Sequence, residues 1–179
     1  MIAAKSCGKV FGLLTLAACV HANPGPTVVL KFSPDSNVAD QKSISDASAI
    51  WLKIGFLYAT DSSLPECPRI WYKPAPPQRK CKITVVVTRA SMTKMFGENS
   101  EISAVTDRDQ RGIVIDPKWH DFELIEIAAH EFGHLLLDCG HLPAGQSGVM
   151  QAKGASFTPT AADYALACAT LGICVSAGP

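Results

Sequence analysis

The sequence has no excess of either charge, no internal repeat and no long low-complexity tract. Its 179 residues carry 16 basic and 16 acidic side chains. It has no basic block and no interleaved basic and aromatic residues, which argues against a nucleic-acid partner. No C-x-x-C pair occurs, so a structural zinc site built from four cysteines is not indicated. After the first twenty or so residues, no run is long and apolar enough to cross a bilayer.

The first residues resemble an export signal. Two lysines precede an apolar run at 10–18 that is too short for a transmembrane helix. This run ends in L-A-A-C, which resembles a bacterial lipobox and predicts cleavage before Cys19, with Cys19 lipidated. Cleavage after Ala22, which would give a freely secreted protein, is the alternative. We therefore predict a signal peptide at 1–19 and an exported protein, either a lipoprotein of the bacterial outer membrane that faces the periplasm or a secreted one.

The rest of the chain, 23–179, has the length of one domain with room for a core. Its apolar patterns predict an α+β order of elements. The predicted elements are a strand at 27–32, a helix at 45–58, a short strand around Trp71, a strand at 82–88, a hairpin of 101–106 with 112–115, a helix that begins near 121 and a final helix at 159–171 capped by Thr158.

The most informative segment is 130–134, which reads H-E-F-G-H and lies in an apolar, helix-patterned stretch. Two histidines four residues apart lie about 40° apart around a helix axis, one turn above the other. His130 and His134 can therefore offer two nitrogens to one zinc ion. Glu131 would stand beside that ion, where a carboxylate can take a proton from an activated water. The pattern predicts a zinc site with Glu131 as catalytic base.

A third histidine, His141, follows seven residues after His134. On an unbroken helix it would lie about 10.5 Å further along the axis, which is too far for a shared ion. The chain must therefore leave the helix and fold back if His141 is to bind the same metal, and Gly140 is well suited to such a turn. Three protein ligands and a water in the fourth position would make a catalytic site.

These residues resemble the signature of the metzincin metallopeptidases, and within them the small secreted matrixin-like enzymes. That signature is H-E-x-x-H-x-x-G-x-x-H, followed by a turn that contains a methionine. Here Leu137 stands in place of the glycine, and His141 comes one residue late. Met150, in S-G-V-M, is similar to the methionine of that turn, and 157–163 resembles the start of the family's last helix. Asp138 is the alternative third ligand, although on a continuing helix it would lie about 12 Å of rise from His130.

The resemblance implies a twisted mixed sheet, packed with a long N-terminal helix and an active-site helix, followed by a small C-terminal part. It also implies one Zn²⁺ ion held by His130, His134 and His141, with Met150 beneath the site. The substrate would then be a protein or peptide whose strand pairs with a sheet edge, for which the hairpin at 101–115 is the candidate. We expect a monomer that reaches the membrane only through a lipid on Cys19.

Five cysteines remain in the predicted mature domain: Cys67, Cys81, Cys139, Cys168 and Cys174. An odd number allows at most two disulfides. A bridge between Cys67 and Cys81, which would close a proline-rich loop, is the first choice. Cys139 could pair with Cys168 or with Cys174, and the sequence does not decide between them.

The sequence thus predicts an exported zinc endopeptidase. Two alternatives stay open: a zinc hydrolase of one narrow substrate, and a non-catalytic surface lipoprotein that binds a partner. Retention of Glu131 favours an enzyme, because a structural zinc site does not need that carboxylate.

Overall fold

The computed structural model describes residues 27–51, 57–59, 63–67, 81–137, 140–152, 156 and 158–171. These residues form a five-stranded mixed sheet and four helices, which confirms the predicted α+β class. The elements in chain order are β1 (Thr27–Phe32), α1 (Val38–Ile50), β2 (Leu57–Ala59), β3 (Lys82–Arg89), α2 (Met92–Phe96), β4 (Ala104–Asp107), β5 (Gly112–Ile115), α3 (Asp121–Leu137) and α4 (Ala161–Leu171).

The sheet has the strand order β2-β1-β3-β5-β4. The first four of these strands are parallel, and β4 runs antiparallel to β5 at the edge, with Thr106 opposite Ile113. The strands predicted at 27–32 and 82–88 are confirmed, as is the hairpin, although β4 begins at Ala104. In β3 every second side chain is fully buried, as expected of a β-branched strand that lies inside a sheet.

The helix predicted at 45–58 is wrong in its bounds. Helix α1 begins at Val38, after Asn37, whose side chain accepts a hydrogen bond from the N–H of Asp40 at 2.8 Å. This N-cap, rather than the apolar pattern, marks the start, because the first turns of α1 are mostly polar. The end was misplaced because Leu57–Ala59 pairs with β1, and such pairing between distant segments leaves no helical or local signal.

Helix α3 is the long helix that contains the H-E-F-G-H segment, and it packs against α1 and β4. Its apolar face is buried, with Leu124, Phe132 and Leu136 fully inaccessible to solvent. At the end of α1, the buried indole of Trp51 donates from Nε1 to the carbonyl oxygen of Ala129 at 2.8 Å. This hydrogen bond joins the end of α1 to the middle of α3, one residue before His130.

Helix α4 begins two residues later than predicted. The N–H of Tyr164 donates to the carbonyl of Thr160 at 3.1 Å, and the N–H of Thr160 donates to the carboxylate of Asp163 at 2.8 Å. The carboxylate of Asp163, in the third helical position, therefore reaches back to the N–H of Thr160, which is one half of a capping box. Thr160, not Thr158, caps the helix.

The predicted disulfide between Cys67 and Cys81 is confirmed. Cys139 and Cys174 lie outside the described residues, and so does the side chain of Cys168, whose backbone is in α4. The signal peptide with Cys19, the strand predicted around Trp71 and Asp138 also lie outside them. Within the part of the chain that is described, no helix has the length and apolar character needed to span a membrane.

Candidate metal centre

The structure brings the three predicted histidine ligands together. His130 and His134 lie one turn apart on α3, and His141 reaches them from the segment that follows the helix. One ring nitrogen of each lies within 4.8 Å of the others. The Nε2 atoms of His130 and His141 are 3.1 Å apart, and the three ring centroids are separated by 4.6 to 5.0 Å.

The late position of His141 is accommodated by the chain after the helix. Helix α3 ends at Leu137, before His141, as the geometric argument required. The N–H of Leu142 then donates to the carbonyl of Met150 at 2.8 Å, which closes the segment 142–150 on itself. A Cβ on Gly140 would meet no described atom within 4 Å, and residues 138 and 139 of this turn lie outside the described residues.

The ring of His130 is oriented by a backbone carbonyl. Its Nδ1 lies 2.7 Å from the oxygen of Val149. A carbonyl only accepts hydrogen bonds, so Nδ1 carries the proton and Nε2 keeps its lone pair, directed toward His141. Burial and the neighbouring His134 lower the pKa of His130. The neutral, metal-binding form of this imidazole is therefore favoured down to a lower pH than in an ordinary histidine.

Glu131 is a buried carboxylate, with 8% of its surface exposed. Its Oε2 lies 2.5 Å from the hydroxyl Oγ1 of Thr106 on β4, and the same hydroxyl lies 3.1 Å from the backbone oxygen of Glu131. Burial raises the pKa of Glu131, against the opposing effects of the Thr106 hydrogen bond and of His130 and His141. A buried carboxylate with a raised pKa is better suited to take up a proton than an ordinary, exposed glutamate.

Gly133 allows Met150 and Trp51 to touch α3 between the two helical histidines. A Cβ at position 133 would lie 2.0 Å from the Sδ of Met150 and 2.6 Å from Cζ2 of Trp51. Both side chains are fully buried, so neither could swing into solvent to make room. Met150 therefore packs against the helical turn H-E-F-G-H at Gly133.

The segment around Met150 is held by Asp163 on α4. Its fully buried carboxylate accepts the N–H groups of Val149 and Met150, both at 3.0 Å, and that of Thr160. A Cβ on Gly148 would lie 2.3 Å from the same carboxylate. Since Val149 also accepts from His130, one line of hydrogen bonds runs from α4 to the imidazole of His130.

The residues present fit a zinc ion. Tetrahedral zinc with nitrogens at 2.0–2.1 Å requires ligand nitrogens about 3.3 Å apart. The Nε2 atoms of His130 and His141 are 3.1 Å apart, slightly closer than this, and the ligand nitrogens of all three histidines lie within 4.8 Å of one another. Small rotations of the rings would therefore bring the three nitrogens to the spacing that zinc requires. Three imidazoles form a donor set typical of zinc, and they leave a fourth position free. His141 is exposed, so this group is open to solvent.

The sequence predicted a site of the three histidines, Glu131 and Met150, and the structure brings the three histidines together. The groups that contact these residues were not predicted from the sequence. Asp163 had a signal, because T-x-x-D at 160–163 is close to a capping box. Thr106, Val149 and Trp51 had none, since their roles depend on contacts between segments 19 to 78 residues apart.

Comparisons with known proteins add little to this geometry. No protein-family model matches the chain, and no curated protein matches its sequence. Among solved structures, the chain is similar to a zinc-dependent peptidase from Methanocorpusculum labreanum (strain Z), with 14% identity and a TM-score of 0.45. The match covers 80% of this chain and 100% of that one. A likeness at this level carries no argument about chemistry, which rests here on the residues themselves.

Proposed function

We propose that the protein is an exported, zinc-dependent endopeptidase of metzincin type that acts as a monomer on proteins or peptides. One observation carries this proposal: His130, His134 and His141 converge beside the buried carboxylate of Glu131. Burying a carboxylate is unfavourable unless something compensates. A zinc ion at the histidines would compensate it, and catalysis would explain why it is there.

The proposed reaction follows from the positions of these groups. Zinc bound there would make a water more acidic and polarise the carbonyl of the scissile peptide bond. Glu131 would accept the proton of the attacking water and pass it to the leaving amine. His130, with Nδ1 held by Val149, keeps its Nε2 aimed into the site throughout. Such a carboxylate is not needed by a closed structural zinc site.

The edge strand β4 supports an extended peptide as the substrate. It is the last strand on its side of the sheet in the described chain, and its Thr106 touches Glu131. A peptide that paired with β4 through backbone hydrogen bonds would lie alongside the histidines. Subsites along this strand would then set the specificity.

The test compares full-length wild type with two glutamate variants of α3. An unfolded protein and a mixed peptide pool are incubated with each zinc-loaded protein, and the cleavage products are identified. We expect Glu131→Ala to lose roughly a hundredfold to ten thousandfold in rate, the usual contribution of a general base, and to keep its zinc. Glu123→Ala, at an exposed position of the same helix, should cleave like wild type. Zinc-loaded wild type that cleaves nothing would contradict the proposal and favour a narrow substrate or a binding role.

A second test addresses the metal ligands. His141→Ala should weaken zinc binding by roughly a hundredfold or more. Loss of a group that supports a metal ligand lowers metal affinity by about 10–100-fold, and loss of a direct ligand should cost at least as much. His120→Ala, at a largely exposed histidine, is the matched control and should bind zinc normally. If His141→Ala and His120→Ala both bind zinc as tightly as wild type and Asp138→Ala binds it more weakly, Asp138 is the third ligand instead.

Export and anchoring are part of the proposal. We propose that a lipid on Cys19 holds the protein at a membrane, where it reaches its substrates. In a bacterial host, wild type should fractionate with membranes, and an exported Cys19→Ser variant should be released. A wild type that is soluble and unlipidated would contradict the lipid anchor.

A further inference from the structure

The hydroxyl of Thr106 is placed against the one carboxylate that the proposed chemistry uses. Oγ1 lies 2.5 Å from Oε2 of Glu131 and 3.1 Å from the backbone oxygen of the same residue. A hydroxyl has a single proton, and the nearer acceptor is Oε2. Hydrogen bonds from a hydroxyl to a carboxylate have this short length when the carboxylate is ionised.

This contact decides how the carboxylate is turned. The last torsion of a glutamate side chain is broad, so packing alone leaves its two oxygens poorly defined. A hydrogen bond to Oε2 removes that freedom and leaves Oε1 to accept the proton in the proposed reaction. A general base must lie within about 2.6–3.2 Å of the proton it takes, so a rotated carboxylate loses activity.

The position of Thr106 is itself fixed by the sheet. Thr106 lies opposite Ile113 in the antiparallel pair of β4 and β5, and Ile113 is fully buried in the core. Helix α3 packs against β4 as well. The hydroxyl is therefore held by a paired strand rather than by a loop, which is the kind of support that keeps a catalytic group in place.

We propose that Thr106 is a positioning residue for Glu131, whose hydroxyl holds the carboxylate in the orientation needed for peptide hydrolysis. This inference rests on the proposed peptidase function for its kinetic consequences. It concerns the rate of the chemical step rather than the holding of zinc, because both described hydrogen bonds of the Thr106 hydroxyl go to Glu131.

Two substitutions separate positioning from a structural role. Thr106→Val keeps the shape of the side chain and removes the hydroxyl, whereas Thr106→Ser keeps the hydroxyl and removes the methyl group. We expect Thr106→Val to lower kcat roughly tenfold to a hundredfold, as is typical for loss of a supporting partner, with KM unchanged. Thr106→Ser should retain most of the wild-type kcat.

A role in strand stability predicts the opposite order. Valine is a better strand former than serine, so the serine variant would then be the weaker protein in activity and in thermal unfolding. Zinc affinity and thermal unfolding are measured for both variants, to show that each is folded and loaded. A Thr106→Val protein with wild-type kcat, or a Thr106→Ser protein that loses more activity than it, would overturn the inference.

Crystal structures of the zinc-loaded proteins give a readout that does not depend on activity. In wild type and Thr106→Ser, Oε2 of Glu131 should lie beside the hydroxyl in one conformer, and in Thr106→Val the carboxylate should rotate or split. An unmoved carboxylate in Thr106→Val would refute the role of Thr106. Zinc-loaded wild type that cleaves no peptide would instead refute the proposed function, while the crystal structures still decide whether Thr106 orients Glu131.

Discussion

The carboxylate of Asp163 accepts the backbone N–H of Met150 at 3.0 Å, and neither side chain has any surface exposed to solvent. The other oxygen of Asp163 accepts the N–H of Val149 at 3.0 Å. Val149 in turn accepts from Nδ1 of His130 at 2.7 Å. A residue of helix α4 is therefore connected by hydrogen bonds, through Val149, to the imidazole of His130 on α3.

Replacing Asp163 with asparagine should destabilise the protein strongly. Asparagine has one acceptor oxygen in place of two, and its amide group would face backbone N–H groups that also donate. Leaving buried donors without an acceptor should lower the free energy of unfolding by about 2 to 4 kcal/mol. Urea denaturation of the metal-free protein measures this change, and zinc titration should show weaker binding.

The matched control for Asp163 is Asp46→Asn, the same substitution in an exposed pair with Lys42 on α1. It should change the free energy of unfolding by less than about 0.5 kcal/mol. Equal effects of the two substitutions would show that the buried hydrogen bonds of Asp163 contribute nothing particular.

Alanine at position 133 should also destabilise the protein, although alanine is the better helix former by about 1 kcal/mol. Its Cβ would overlap the Sδ of Met150 and the ring of Trp51, both fully buried. Overpacking of this kind costs about 1 to 3 kcal/mol, and we expect a net loss of stability. Thermal unfolding measures it against Gly140→Ala, where a Cβ meets no described atom within 4 Å. A more stable Gly133→Ala protein would mean that Met150 and Trp51 can move away.

The buried carboxylate of Glu131 should make the metal-free protein less stable as the pH rises. Burial raises the pKa of Glu131 above its value in the unfolded chain. Glu131 therefore makes its full contribution to the free energy of unfolding below its pKa in the unfolded chain, which is about 4.5. This contribution is lost as the pH rises through the pKa of Glu131 in the folded protein. Glutamine, which stays neutral, lacks this dependence.

We accordingly expect metal-free Glu131→Gln to be more stable than metal-free wild type at pH 8, with the difference shrinking toward pH 4.5. Urea denaturation at a series of pH values measures the difference between the two proteins. Loading with zinc should reduce the difference, since a cation favours the ionised carboxylate. A constant difference across the pH range would contradict the assignment of the raised pKa.

Removing the disulfide should affect stability and leave the metal site intact. The bond joins residues 14 positions apart, and closing a loop of about 15 residues is worth about 3 kcal/mol in the chain-entropy model. We expect the Cys67→Ser, Cys81→Ser double variant to lose about that much free energy of unfolding and to bind zinc normally. Impaired zinc binding would instead show that this loop supports the histidines.

Much of this arrangement was predictable because it depends on local patterns. A near-continuous β-branched run in 82–88 predicted β3, and helical periodicity around 130–134 predicted α3. The break before His141 also followed from helix geometry alone. The bounds of α1 and the strand Leu57–Ala59 were not predictable in this way, because backbone pairing with β1 decides them.

The sequence by itself determined which residues carry the proposed chemistry: three imidazoles and a carboxylate at spacings that a helix and a turn can bring to one ion. Only the tertiary structure decided what holds them. Thr106 reaches Glu131 from an edge strand, Val149 orients His130, and Asp163 secures Val149 from the last helix. Each of these contacts is a single hydrogen bond between distant segments. Such a bond leaves no repeating pattern in the sequence, and it forms only when the core brings the two segments together.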